Sequence, residues 1–192
     1  MNVIIFGPPG AGKGTQALNI VEKFNLHQVS TGDLLRNEIK NKTDLGLKIS
    51  SIISSGELVS DSIVGNLIEK FISNNIYKNK IIFDGYPRNL SQAKNLDFLL
   101  KKYDQKINIV LKLSVSLDTI KKRILERKKQ EKRSDDNEAV ALKRFKTYEK
   151  SSEPILEYYN KFDIVKVVNG EAEISEINTE ISEIIDAIKG WL

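Results

Sequence analysis

The chain has 192 residues, 40% hydrophobic and 29% charged, enough to bury one α/β core. It contains no cysteine, which excludes disulfides and thiolate metal sites and accords with a reducing compartment. No apolar run approaches the roughly 18–20 residues that span a bilayer, and the net charge of +4 suits an anionic ligand without calling for nucleic acid.

The apolar run Val3–Phe6 predicts a buried strand, and its start at the third residue predicts that no signal peptide precedes it. It leads into Gly7-Pro8-Pro9-Gly10-Ala11-Gly12-Lys13-Gly14-Thr15, after which Thr15–Phe24 reads as a helix. Strand, glycine-rich turn and helix start form the setting of a phosphate-binding loop. The glycines let backbone N–H groups turn inward around a polyphosphate, the helix N-terminus adds positive potential, and Lys13 supplies a full charge. The general motif has Ser or Thr directly after the lysine; here Gly14 intervenes and the hydroxyl comes at Thr15.

A short strand is expected at His27–Val29, then helices at Asp33–Lys40, with Asp33 as N-cap, and at Leu45–Ser54. Between them Asn41-Lys42-Thr43-Asp44 spells the N-K-x-D string that reads guanine in GTPases. It follows a polar helix rather than a strand, and the chain has no D-x-x-G, so it reads as a helix end, a turn and an N-cap at Asp44. After a helix at Asp61–Ser73, the strand Ile81–Phe83 runs into Asp84-Gly85-Tyr86-Pro87-Arg88. An aspartate ending a buried strand near a phosphate loop is placed to hold Mg²⁺ through water. Further helices are expected at Leu90–Lys102, Leu117–Lys128, Asp136–Lys150, Glu153–Asn160 and Ala172–Ile188, with strands at Ile107–Leu113 and Ile164–Val168. The alternation predicts an α/β fold whose parallel sheet of about five strands carries helices on both faces and binds ligands at the strands' C-terminal ends. Thr31–Leu58 and Lys128–Ser134 break the alternation and are expected to be mobile covers over the site.

Of the 30 basic residues, only six are arginine: Arg36, Arg88, Arg123, Arg127, Arg133 and Arg144. Generic surface positions here take lysine. The arginines that persist therefore point to places needing a planar, permanently charged fork for phosphate oxygens.

As an ordered set, Gly7–Thr15, Ser30–Arg36, Gly56–Val59, Asp84–Arg88 with Gln92, the paired arginines and Val168-Asn169-Gly170 resemble the adenylate kinases, which convert ATP and AMP to two ADP. The resemblance covers nearly the whole chain. It implies a single P-loop NTPase-type domain over 1–192, a helical monophosphate-binding insert at 30–59 and a short lid loop at 127–135. ATP phosphates would lie on Gly10, Ala11, Gly12, Lys13, Gly14 and Thr15. Arg123 and Arg127 would approach the ATP side, and the Ala172 backbone its adenine. AMP would be held by Thr31, Arg36, Glu57, Leu58, Val59, Gly85, Tyr86, Pro87, Arg88 and Gln92, and Arg133 and Arg144 would bridge to the AMP phosphate and the transferred phosphoryl. Mg²⁺ would come with ATP near Asp84 and Asp33, and the short, cysteine-free lid implies no zinc. The expected protein is a cytoplasmic monomer whose partners are ATP, AMP and ADP, with no nucleic acid and no membrane.

The mechanism implied is direct in-line transfer. An AMP phosphate oxygen is already anionic, so no general base is needed and His27, the only histidine, has no part. The nearest alternative is a UMP/CMP kinase of the same fold. Thr31, where those enzymes usually carry alanine, and Gln92, whose amide matches an adenine edge, weigh against it. A GTP-dependent switch and a nucleic-acid module are more distant alternatives.

Overall fold

The computed structural model describes residues 1–131 and 138–189. Five strands, β1 (Val3–Phe6), β2 (His27–Ser30), β3 (Ile81–Asp84), β4 (Ile109–Ser114) and β5 (Val165–Asn169), form one parallel sheet in the order β2-β3-β1-β4-β5. All of β1 and β3 is buried, as expected for strands covered on both faces. Successive side chains alternate between those faces. Val3, Ile5, Ile82, Ile109, Leu111 and Leu113 pack with α1 (Lys13–Phe24) and α8 (Ile174–Lys189). Ile4, Phe6, Val29, Ile81, Phe83 and Val110 pack on the opposite face. The helices covering that face are α4 (Asp61–Ile72), α5 (Leu90–Lys102) and α7 (Glu138–Asn160).

Two helices, α2 (Thr31–Lys40) and α3 (Asp44–Ser54), stand between β2 and α4, within the expected insert. They meet at backbone distance: a Cβ on Gly46 would lie 2.1 Å from the Glu38 carbonyl oxygen, so only glycine allows the approach. The remaining helix, α6 (Leu117–Glu131), joins α7 in a small cluster of Ile120, Ile124 and Ala141.

Three local expectations are corrected. Ser30, not Asp33, caps α2: its side chain accepts the Asp33 N–H at 3.3 Å. Thr43, not Asp44, caps α3, accepting the Gly46 N–H at 3.0 Å. The segments expected as Asp136–Lys150 and Glu153–Asn160 include one unbroken helix, α7, with Pro154 inside it. Ile155 and Tyr159, both essentially buried, anchor that helix on the sheet and override the break that proline encodes locally. Asn41–Asp44 is indeed a helix end, a turn with Lys42 at φ 51° and the next helix start.

At the strands' N-terminal ends, fully buried Asn2 ties the sheet together. Its side chain accepts the Ile81 N–H at 3.1 Å and donates to Gln105 Oε1 at 3.2 Å and to the Lys106 carbonyl at 3.0 Å. At the C-terminal ends the register sets Ile5 and Ser30 beside Asp84. The loops leaving β1, β2 and β3 therefore emerge side by side.

Candidate active site

The loop after β1 turns back on itself, with the Ala11 N–H donating to the Pro8 carbonyl at 3.1 Å. Gly12, at φ 90°, is the N-cap of α1, and a Cβ there would meet nothing closer than Arg123 Nη1 at 3.9 Å. Glycine is thus required for the left-handed backbone rather than for space. The α1 N-terminus opens into a cleft of about 820 Å³ lined by Gly10, Ala11, Gly12, Lys13, Gly14 and Thr15.

Lys13 Nζ curls back to donate to the Gly7 carbonyl at 2.8 Å and the Pro8 carbonyl at 2.9 Å. Burial pulls its ammonium from 10.5 to about 8. Asp84 opposes that shift, while Arg88, Arg144 and Arg127 add to it. Four cations thus line one cleft, an arrangement suited to a polyanion.

Five of the six arginines, Arg36, Arg88, Arg123, Arg127 and Arg144, line this same cleft. Arg133 lies outside the described residues, with the rest of 132–135 of the expected lid segment. Arg123 Nη1 also donates to the Ala11 carbonyl at 3.4 Å, tying α6 to the loop. Ala172 lines the cleft from the β5–α8 connection, next to Glu171. The Glu171 carboxylate accepts the Ser116 N–H at 2.8 Å and the Thr119 hydroxyl at 3.1 Å, and these bonds hold it below the usual carboxylate range.

Asp84 ends β3 in the cleft, where its Oδ2 accepts Gln28 Nε2 at 3.1 Å and lies beside Gly14. Asp33 lines the cleft too, but its carboxylate is paired with Arg36 at 2.5 Å. Of the two, Asp84 has the freer oxygens for a cation carried in by phosphates. Among the described residues no group of three or more His, Cys, Asp or Glu could hold a metal alone.

A second cavity of about 90 Å³ lies against the first, lined by Gly56, Leu58, Gly85, Tyr86, Pro87 and Tyr148 among others. Lys13, Arg88 and Arg144 line both, so they stand where the two meet. Arg88 is held by its Nε–H donating to the Gly85 carbonyl at 2.7 Å, and that oxygen also accepts the Thr31 hydroxyl at 2.9 Å. Val59 is buried, Tyr86 is buried, and burial raises the Tyr86 hydroxyl above its usual value. Glu57 is exposed and pairs with Lys143 of α7 at 3.0 Å, linking the insert to that helix.

Gln92 is 3% exposed, and its amide is engaged inside the protein: Oε1 accepts the Arg88 N–H at 2.7 Å and Nε2 donates to Asp61 at 2.7 Å. Gln28, Asp61, Lys143 and Glu171 escape a reading of the sequence, since nothing local marks them. Each acquires its place only through a partner distant in the chain.

Among the described residues no helix is long and apolar enough to cross a membrane. The adenylate kinase family model matches residues 5–164. The chain is 44% identical to an adenylate kinase of Pelagibacter ubique, over 96% of this chain and 99% of that protein. It is 38% identical to one from Porphyromonas gingivalis, over 98% and 97%, and 35% identical to one from Methanothrix thermoacetophila, over 96% and 98%. With this cleft, this loop and likeness along almost the entire length, the chain belongs to the adenylate kinase family.

Proposed function

We propose that the chain catalyses reversible phosphoryl transfer from Mg·ATP to AMP, giving two ADP. The observation that carries this reading is the position of Lys13, Arg88 and Arg144 on the border between the large and the small cavity. A donor polyphosphate on the β1–α1 loop and an acceptor phosphate beside Arg88 would meet there, with cations around the phosphoryl group that moves. Transfer of this kind needs little covalent help from the protein; it needs alignment and charge stabilisation.

In this reading Lys13 leaves its loop carbonyls for the β and γ phosphates, and the loop N–H groups complete their cradle. Arg88 and Arg36 grip the acceptor phosphate, while Arg123, Arg127 and Arg144, with Arg133, close on the group in transit. Asp84, with Asp33 farther out, would hold Mg²⁺ through water near Thr15; the ion's contribution is to neutralise phosphate charge. Thr31, Gly85 and Gln92 form the acceptor side, with Glu57, Leu58 and Val59 along its edge, and Ala172 offers its backbone to the donor base. A UMP/CMP kinase is not favoured: the relatives matched along the chain are adenylate kinases.

The short lid at 127–135 is part of the same proposal. The match to the Pelagibacter protein spans 211 aligned positions, more than this chain has residues, so that relative carries insertions this chain lacks. We also take the enzyme to be a cytoplasmic monomer, which light scattering and fractionation check. The decisive assay is ADP formation from Mg·ATP with AMP, run beside UMP, CMP and GMP. A strong preference for AMP is expected. Preference for a pyrimidine monophosphate overturns the acceptor assignment, and no transfer to any acceptor overturns the reading as a whole.

A further inference from the structure

Asp61 opens α4, where an aspartate commonly serves only to complement the helix dipole. Here its carboxylate does more. It accepts Gln92 Nε2 at 2.7 Å and Asn89 Nδ2 at 3.1 and 3.2 Å, and Asn89 in turn caps α5 by accepting the Gln92 N–H at 2.8 Å. The chemistry of these partners leaves no ambiguity about which end of the Gln92 amide faces which. An ionised carboxylate only accepts, so it faces Nε2; the Arg88 N–H only donates, so it faces Oε1.

A glutamine amide has two N–H donors and two acceptor lone pairs. One of each is consumed by Asp61 and Arg88. One N–H and one lone pair remain, on one planar group and in a fixed order. Adenine offers an amino donor beside a ring-nitrogen acceptor. Guanine offers the reverse, a carbonyl acceptor beside an N–H donor. To pair with guanine the amide must turn over, which sets Oε1 against the Asp61 carboxylate and Nε2 against the Arg88 N–H. Both contacts are repulsive, and such repulsion is an effective way to reject a competitor.

We infer that Asp61 is a positioning residue that sets selectivity among purine monophosphates by fixing the orientation of the Gln92 amide. The inference rests on the acceptor-site reading above. Asp61→Asn keeps size and shape but can donate as well as accept, so it removes one of the two repulsions. The ratio of kcat/KM for AMP to that for GMP should fall about tenfold in D61N, with KM for AMP rising and kcat changing less than threefold. An equal loss for both substrates, or a ratio within twofold of wild type, overturns the inference and leaves the acceptor-site reading intact. Wild-type enzyme that transfers nothing to AMP overturns both.

Should D61N fail to fold, wild-type protein supplies the answer. With AMP bound and the side-chain amides labelled with nitrogen-15, both Gln92 Nε2 protons should be protected from exchange, one by Asp61 and one by the base. Exchange of either at the rate of an exposed amide overturns the inference.

Discussion

Thr31 and Arg88 donate to one acceptor: the Gly85 carbonyl oxygen takes the Thr31 hydroxyl at 2.9 Å and the Arg88 Nε–H at 2.7 Å. A residue at the head of α2 and a cation of the β3–α5 loop are thereby set in a fixed relation to one another.

Removing one of two donors from a shared oxygen costs about 1 kcal/mol, because the second still satisfies it. Thr31→Ala should therefore fold normally. It should raise KM for AMP several-fold and increase use of CMP relative to AMP, while KM for ATP stays unchanged. Steady-state kinetics with both acceptors decide this; an unchanged AMP/CMP ratio removes Thr31 from selectivity.

Arg88→Ala should lose on the order of 10²-fold or more in turnover, the size expected when a transition-state charge clamp is removed. Arg88→Lys should recover little of it. Lysine lacks the Nε–H that holds the side chain on Gly85 and lacks the planar fork. Activity of Arg88→Ala within threefold of wild type contradicts the role.

Lys13 predicts a pH dependence of stability in protein free of nucleotide. Burial holds its folded-state pKa near 8, against 10.5 when unfolded. Between those values the unfolded chain binds the extra proton, so wild-type stability gains from Lys13 as pH rises from about 8 to 10.5. Lys13→Met has no such gain. Denaturant titrations of both proteins should show wild type improving relative to Lys13→Met across that window, and parallel curves contradict the burial of the charge. The same variant should be inactive.

Asn2 tests the opposite end of the sheet. Replacing it with alanine strips the side-chain partner from the buried Ile81 N–H and from the Lys106 carbonyl, while Gln105 Oε1 keeps the Asn79 N–H at 2.9 Å. A loss of about 1–3 kcal/mol is expected, chiefly from the unsatisfied buried Ile81 N–H. At a temperature where the variant stays folded, KM for both nucleotides should match wild type. A melting curve and an assay at that temperature check the pair of outcomes.

Features encoded in contiguous residues were legible from the sequence. The phosphate loop is glycine conformation and one lysine between a strand and a helix, and the strands β1 and β3 are unbroken apolar runs. Arginine scarcity also carried information, since five of the six share one cleft. What escaped depends on tertiary partners. Pro154 argues for a break that Ile155 and Tyr159 overrule by burial. Ser30 and Thr43 displaced Asp33 and Asp44 as caps because several neighbouring residues can cap and only the backbone path selects one. Asp61 and Gln28 look like ordinary surface residues until the fold sets Gln92 and Asp84 beside them.

The 23-residue helix α7 carries Lys143 and Arg144 near one end and the buried Ile155 and Tyr159 near the other. Between them Tyr148 packs on Phe6 of the sheet, ring centroids 5.4 Å apart, and beyond Arg144 the buried Ala141 packs on Ile120 and Ile124 of α6. The helix is a strut pinned at both ends, and the Glu57–Lys143 pair ties the insert to it. In the proposed reaction a shift of about 1 Å at Arg144 would cost orders of magnitude in rate, and this strut is what would resist it.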